Sequence, residues 1–244
     1  MKPYAVFTVV QNESLFLRIW SNYYCKMSPD VDVFVLDDSS SDGSLEEMRS
    51  RFPAVNVQSI EPGRRYDLVR LRKSVQSFQQ SLLEKYEVVV YTDVDEFLLT
   101  AGPEGFATFL EQFRASSRPQ ARASGWHCVH AAGEEPIRLV EGKSVLEGRK
   151  SMWRLPRYDK VLVSKVVSSW TNGFHGCVGA ENLKPDPDLI LLHAWMIDRD
   201  SFLVKERTYA GPSVQHFATV HGLGGRPPGM GVDMPDHWRP LLHW

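Results

Sequence analysis

Apolar and polar positions fall into a regular pattern over the first hundred residues and an irregular one afterwards. Tyr4 to Val10 is a short apolar run and reads as a strand buried on both faces. Over residues 13–27, Leu15, Phe16, Ile19, Trp20, Tyr23, Tyr24 and Met27 recur at helical spacing along one stripe. Val31 to Leu36 predicts a second strand, which opens onto the polar turn Asp37-Asp38-Ser39-Ser40-Ser41-Asp42-Gly43-Ser44. A helix follows from about Ser44 to Phe52, with Glu46 and Glu47 in its first turn where the helix dipole favours anions. Val55 to Ile60 is a third strand. Leu68, Leu71, Val75, Phe78 and Leu82 then mark a second amphipathic helix over residues 65–85. Arg64, Arg65, Arg70, Arg72 and Lys73 load its first half with positive charge. A fourth strand, starting at Val88 and ending at Asp93, opens onto Asp93-Val94-Asp95-Glu96-Phe97. This alternation predicts an α/β fold with a Rossmann-type, mostly parallel sheet covered by helices.

In the second half, Phe106, Phe109, Leu110 and Phe113 suggest a helix, followed by a basic loop from Arg114 to Arg122. Ala123 to Val129 and Lys160 to Val167 read as strands, and Leu189 to Leu192 is an apolar run ending at His193-Ala194-Trp195. A helix is expected from about Asp200 to Tyr209, capped by Asp198 or Asp200. From Gly222 the chain is rich in glycine and proline and reads as a loop or mobile lid. No repeat or linker divides the chain, so a single domain is expected.

Composition narrows the setting. A 244-residue chain that is 43% hydrophobic and 24% charged has ordinary globular make-up and room for a substantial core. A net charge of −2 gives no basic field to attract nucleic acid. Cys25, Cys128 and Cys177 are odd in number and far apart, which disfavours a disulfide framework and suits a reducing, cytoplasmic setting. The first apolar run is too short for a signal-peptide core, and none approaches the ~18 apolar residues of a membrane span. Peripheral membrane association stays compatible with this reading. His127, Cys128 and His130 lack a fourth zinc ligand nearby in sequence and are read as strand residues.

Chemistry concentrates at two strand ends, where open α/β sheets bind ligands. In extended geometry Asp93 and Asp95 point to the same side and offer two hard oxygen ligands to a divalent cation carrying a phosphorylated substrate. The turn at 38–43 imitates the start of a calcium-binding loop. However, Arg49 stands where that loop needs a bidentate glutamate, and a strand rather than a helix precedes it. Calcium binding is therefore rejected there. Its carboxylates either accept hydrogen bonds from a base or ribose, or satisfy the turn's own backbone. GxGxxG after the first strand, GxxxxGK[ST] and GxSxG are all absent, which removes support for dinucleotide oxidoreductases, P-loop enzymes and α/β-hydrolases.

Gln11-Asn12-Glu13 after the first strand, Leu36 to Ser44 after the second, and Asp93-Val94-Asp95-Glu96-Phe97 after the fourth together resemble the family-2-like glycosyltransferases of the GT-A fold, in the branch with a DxDEF motif. Later support comes from Lys160 to Val167, Gly173-Phe174-His175-Gly176 and Leu192-His193-Ala194-Trp195. The resemblance implies a GT-A-like domain with a nucleotide-binding half (1–100), an acceptor-side half (101–221) and a tail or lid (222–244). It implies transfer of a sugar from a nucleotide-sugar donor, UDP-linked by expectation, to a glycan or lipid-linked acceptor, with inversion and with Mn²⁺ or Mg²⁺ as cofactor. Val10, Asn12, Glu13 and Asp37 or Asp38 would lie near the nucleoside. Asp95 would contact the metal directly, Asp93 the ribose or a metal-bound water, and His193 would add a ligand to the metal or diphosphate. Glu96 would bind acceptor or brace the loop. Arg72 and Lys165 are the candidate cations for the leaving diphosphate, and His175, Asp159 and Asp198 the rival bases. Asp233, Asp236, His237 and His243 in the tail could close over the site. The competing readings are a sugar-1-phosphate nucleotidyltransferase and a non-catalytic nucleotide- or glycan-binding relative.

Overall fold

The computed structural model describes residues 1–61, 67–130, 135, 139–140, 142–149, 151–198 and 232–243. Arg64, Arg65, the helix expected at 200–209 and the glycine- and proline-rich stretch up to residue 231 lie outside the described residues.

The first half forms as its periodicity predicts. β1 (Lys2–Val10) is followed by α1 (Ser14–Met27), β2 (Val31–Asp37), α2 (Ser44–Arg51), β3 (Asn56–Ser59), α3 (Leu68–Leu83) and β4 (Tyr86–Tyr91). The strands pair in the order β3-β2-β1-β4, all parallel. β1 is central and buried because its residues from Tyr4 to Phe7 must pack on both faces. The α3 residue Phe78 meets Phe7 at 5.3 Å between ring centroids, seating that helix on the sheet. Asp67 starts α3 by accepting hydrogen bonds from the Val69 and Arg70 backbone N–H groups at 2.8 and 3.1 Å.

β1 runs to β2 on one side, whereas β3 crosses back over to β4 on the other. The carboxyl ends of β1, β2 and β4 therefore enclose a crevice, the place where such sheets admit ligands.

The second half is more antiparallel and longer in strand than its hydrophobicity suggests. β5 (Glu96–Thr100), α4 (Gly105–Ala115), β6 (Gln120–Val129), β7 (Ser151–Arg154), β8 (Lys160–Ser164), β9 (Leu189–Met196) and β10 (Val232–Asp233) extend the sheet to ten strands. β8 pairs with β4 and with the start of β6, both antiparallel. The end of β6 pairs in parallel with β9, which in turn pairs antiparallel with β5. The single-domain α/β fold, with its mostly parallel central sheet flanked by helices, agrees with the GT-A-like expectation, and every antiparallel pair includes at least one strand of the second half.

One connection determines the position of the acidic motif. Trp20 of α1 donates to Thr92 Oγ1 at 2.8 Å, Tyr24 Oη accepts from the Leu98 N–H at 3.0 Å, and Tyr23 donates to the Leu98 carbonyl at 2.7 Å. The apolar face of α1 thus holds residues 92–98 from behind. Among the described residues no helix is long and apolar enough to cross a membrane.

Candidate functional site

A cavity of about 470 Å³ fills the crevice, and Val10, Glu13, Asp38, Asp93, Asp95, His175 and His193 all line it. Residues separated by up to 183 positions thus share one wall system, because three strand ends and β9 converge there.

The Asp93–Asp95 segment is not extended as expected. The Glu96 N–H donates to the Asp93 carbonyl at 3.0 Å, so the chain turns between β4 and β5. The two aspartates consequently face different partners. Asp93 Oδ1 accepts from the Tyr91 hydroxyl at 2.6 Å, and Oδ2 accepts from Lys160 Nζ at 2.9 Å. Lys160 Nζ also donates to Glu96 Oε1 at 2.6 Å, and Glu96 Oε2 accepts from the Asp93 N–H at 3.3 Å. Glu96 therefore braces the loop. Burial by itself would lower the Lys160 pKa, but the carboxylates of Asp93 and Glu96 and their hydrogen bonds outweigh it and raise it, keeping the ammonium charged. Burial is also the main influence on Glu96, pushing its carboxyl up, with Lys160 pulling the other way.

Asp95 faces His193, whose Nε2 lies 3.6 Å from Oδ1. The Asp95 carbonyl accepts from the Ala194 N–H at 2.8 Å, which ties the acidic turn to β9. Behind His193, its Nδ1 is 3.3 Å from Nε2 of His127, which is fully buried on β6. Burial, and then the neighbouring His193, hold His127 well below the usual imidazole pKa, so it is neutral.

No group of three or more His, Cys, Asp or Glu side chains among the described residues is arranged to hold a metal by itself. Asp95 and His193 are nevertheless a coherent pair of donors. Their 3.6 Å separation is too long for a hydrogen bond, and both present to the cavity. Two protein ligands with the remainder supplied by phosphate oxygens and water is the usual arrangement for a cation delivered with its phosphorylated substrate. One imidazole and one carboxylate suit Mn²⁺ better than the harder Mg²⁺.

At the nucleoside end, Asp38 is 4% exposed and receives Arg70 NH2 at 2.8 and 2.6 Å on its two oxygens. Val10, Gln11, Glu13 and Asp38 line the cavity, whereas Asn12 and Asp37 do not. Asn12 adopts a left-handed backbone (φ 55) and its Oδ1 accepts from the Ser41 N–H at 2.7 Å. Asp37 Oδ1 accepts from the Ser40 N–H at 2.8 Å. Both therefore shape the turn that positions Asp38.

His175 is the expected base that reaches the cavity. Gly173 (φ 75) and Phe174 (φ 60) are successive left-handed residues. This turn buries Phe174 against Tyr91, with ring centroids 4.9 Å apart, and leaves His175 exposed at the rim. Partial desolvation first, and then Lys160, push the His175 imidazole down to about 4, although solvent reaches its outer edge.

The other expected residues are placed elsewhere. Asp159 accepts from the Gly125 N–H at 2.9 Å and pairs with Arg154 at 2.7 Å, off the cavity. Asp198 lies 3.9 Å from buried Arg149, also off the cavity. Lys165 caps the end of α4 by donating to the Arg114 and Ser116 carbonyls at 2.9 and 2.5 Å, and it does not line the cavity. Arg72 does not line the cavity, and Arg70, two residues earlier, is the arginine of α3 that reaches Asp38.

Lys160, Tyr158 and His127 are not site candidates from sequence, whereas Arg70 belongs to the basic cluster of which one or two members are expected on a diphosphate and is found on Asp38 instead. Lys160 carried a usable signal, since a charge heading a buried apolar strand needs a counter-ion. Tyr158 carried less. Its ring meets His127, His175 and His193 at 4.4, 4.7 and 5.4 Å, and only the bare Cα of Gly125 lets its backbone come so close.

No protein-family model and no curated protein matches the chain. Several solved structures resemble it weakly. A mannosyltransferase from Pyrobaculum calidifontis, in complex with GDP-Man and Mn²⁺, is 14% identical over 98% of this chain and 68% of its own, with a TM-score of 0.42. Glucosyl-3-phosphoglycerate synthase from Mycobacterium tuberculosis, in complex with Mn²⁺, uridine diphosphate and glucosyl-3-phosphoglycerate, is 17% identical over 52% of this chain and 44% of its own, with a TM-score of 0.35. S. aureus TarS is 13% identical over 60% and 26%, with a TM-score of 0.34. The match thus spans less than half the length of the last two proteins.

Proposed function

We propose that the chain is a metal-dependent glycosyltransferase that takes a sugar from a UDP-linked donor and passes it, with inversion, to a hydroxyl of a glycan or lipid-linked acceptor. The observation that carries this reading is the pairing of Asp95 with His193 on the wall of a cavity that Asp38, held by Arg70, also lines. The Asp95–His193 pair suits a cation-bound diphosphate. Asp38, held from behind by Arg70, offers a carboxylate acceptor to an N–H of the base. Uracil presents such a group at ring N3, and guanine at N1.

Lys160 holds Asp93 and Glu96 with its single positive charge, while Asp95 faces His193 on the cavity wall. A divalent cation bound there would offset the negative charge that builds on the diphosphate as the sugar leaves. The protein's own share is to orient the nucleoside with Asp38 and hold Asp95 still through α1 and β9. His175, neutral at pH 7, accepts the acceptor hydroxyl's proton.

The test is a thermal-shift screen of nucleotide-sugars with and without Mn²⁺, on the wild type and on Asp95→Ala, because a ligand that binds only the folded state raises its stability. Stabilisation by a UDP-sugar that needs Mn²⁺ and vanishes in Asp95→Ala is expected. Metal-independent stabilisation unchanged in the variant would sink the reading. Slow hydrolysis of the donor that stabilises the fold separates an enzyme from a binding module, and GDP-sugars in the same screen test the choice of base.

A further inference from the structure

His127 stands behind the site, directly opposite His193 in the parallel β6–β9 register. Its Nε2 and His193 Nδ1 are 3.3 Å apart, and the ring planes cross at 75°. Two imidazole nitrogens in this relation share one proton, so one donates and the other accepts. The choice determines what His193 shows to the cavity. When His193 Nδ1–H donates to His127, the other nitrogen, Nε2, turns a lone pair toward Asp95 and can bind a cation. In the opposite tautomer Nε2 carries the proton and cannot.

We infer that His127 is a positioning residue that fixes the ring plane and the Nδ1–H tautomer of His193 for a divalent cation shared with Asp95. This rests on the metal reading of the proposed function. The surroundings support it. His127 is fully buried and His193 7% exposed, so neither ring turns without disturbing the strands. The Tyr158 ring packs edge-on against His127 at 4.4 Å and closes that side. A metal-bound histidine whose second nitrogen is held by a hydrogen-bond partner is a common arrangement, and losing that partner weakens metal binding by about 10–100-fold.

The experiment measures Mn²⁺ affinity in the presence of UDP, following free Mn²⁺ by electron paramagnetic resonance, for the wild type, His127→Phe, His127→Gln and His193→Ala. UDP affinity without metal is measured alongside, and cooperative melting reports folding. The inference expects His127→Phe to bind Mn²⁺ about 10–100-fold more weakly with metal-free UDP affinity unchanged. His127→Gln, whose amide oxygen can accept the Nδ1 proton, should recover most of the loss. If His193→Ala weakens Mn²⁺ binding but His127→Phe does not, the positioning role is wrong and the metal reading survives. If His193→Ala binds Mn²⁺ like the wild type, the metal seat itself is wrong. Should His127→Phe fail to fold, His127→Met against His127→Gln makes the same comparison, since the two differ little in size and only Gln can accept.

Discussion

Lys160 and Glu96 form an ion pair 2.6 Å long in which both side chains are sealed from solvent. Asp93 joins from the cavity side at 2.9 Å, so one ammonium serves two carboxylates of the acidic motif. Breaking a buried pair from one side leaves a charge without compensation, which costs more than the pair contributes. Lys160→Met is therefore expected to lower stability by about 3–5 kcal/mol in denaturant unfolding. Lys160→Met combined with Glu96→Gln should recover much of it. The raised Lys160 pKa sets the sign with pH. The pair's contribution is complete below the unfolded lysine value of about 10.4 and fades as pH climbs through the higher folded value. Alkaline destabilisation should therefore be steeper in the wild type than in the double variant.

The two aspartates are expected to behave differently although they are two residues apart. Both Asp93 oxygens are taken by Tyr91 and Lys160, whereas Asp95 faces His193 across the cavity wall. Asp95→Ala should abolish Mn²⁺-dependent stabilisation by UDP with little change in the melting of the free protein. Asp93→Asn should keep Mn²⁺ affinity close to the wild type and instead lose about 1–3 kcal/mol of stability, because it disturbs a partly buried hydrogen-bonded charge. Calorimetry with Mn²⁺ and UDP, paired with melting curves, checks both. Equal loss of metal affinity in the two variants would contradict the division of labour.

His175→Ala is expected to leave UDP binding intact and to lower the transfer rate by about 10²–10⁴-fold, the usual worth of a positioned general base. Its depressed pKa, about 4, predicts that kcat/KM of the wild type stays flat through pH 6.5, where an ordinary histidine would protonate, and declines only nearer pH 4. For folding, the unfolded chain takes up this proton below about 6.5. The folded chain takes it up only near 4, so His175 reduces stability as pH falls through that window. A fall in kcat/KM centred near pH 6.5 would argue against His175.

Gly125→Ala is expected to damage the site without touching a charged residue. A Cβ there would sit 2.5 Å from the Tyr158 carbonyl oxygen, which is backbone and cannot swing aside. Overpacking of this kind costs about 1–3 kcal/mol. It would also push Tyr158 off His127, His175 and His193, so Mn²⁺ affinity should drop together with stability. Gly43→Ala makes the contrast, because that position (φ 81) is strained for alanine but has nothing within 4 Å. It should lower stability and leave metal binding alone.

Hydrophobic periodicity alone was enough to locate β1 to β4 and α1 to α3, because those elements bury one stripe or both faces and their pattern is written in adjacent residues. The acidic motifs at strand ends pointed to Asp38 and Asp95, and the resemblance to family-2-like glycosyltransferases pointed to His175 and His193. Periodicity misjudged the shape of the Asp93–Asp95 segment. Alternation describes a strand, whereas a turn between two strands is decided by which partner each side chain finds. Asn12, Asp37, Asp159 and Lys165 are polar residues near the right places whose hydrogen bonds go to the protein's own backbone, and no local pattern separates that use from ligand binding. Lys160 under Asp93 and Glu96, Arg70 on Asp38, and His127 behind His193 join residues 32 to 67 positions apart. Those pairings follow from strand order and register, which long-range packing of the whole sheet decides, so only the tertiary structure determined that Lys160 binds Asp93 and Glu96 while Asp95 faces His193.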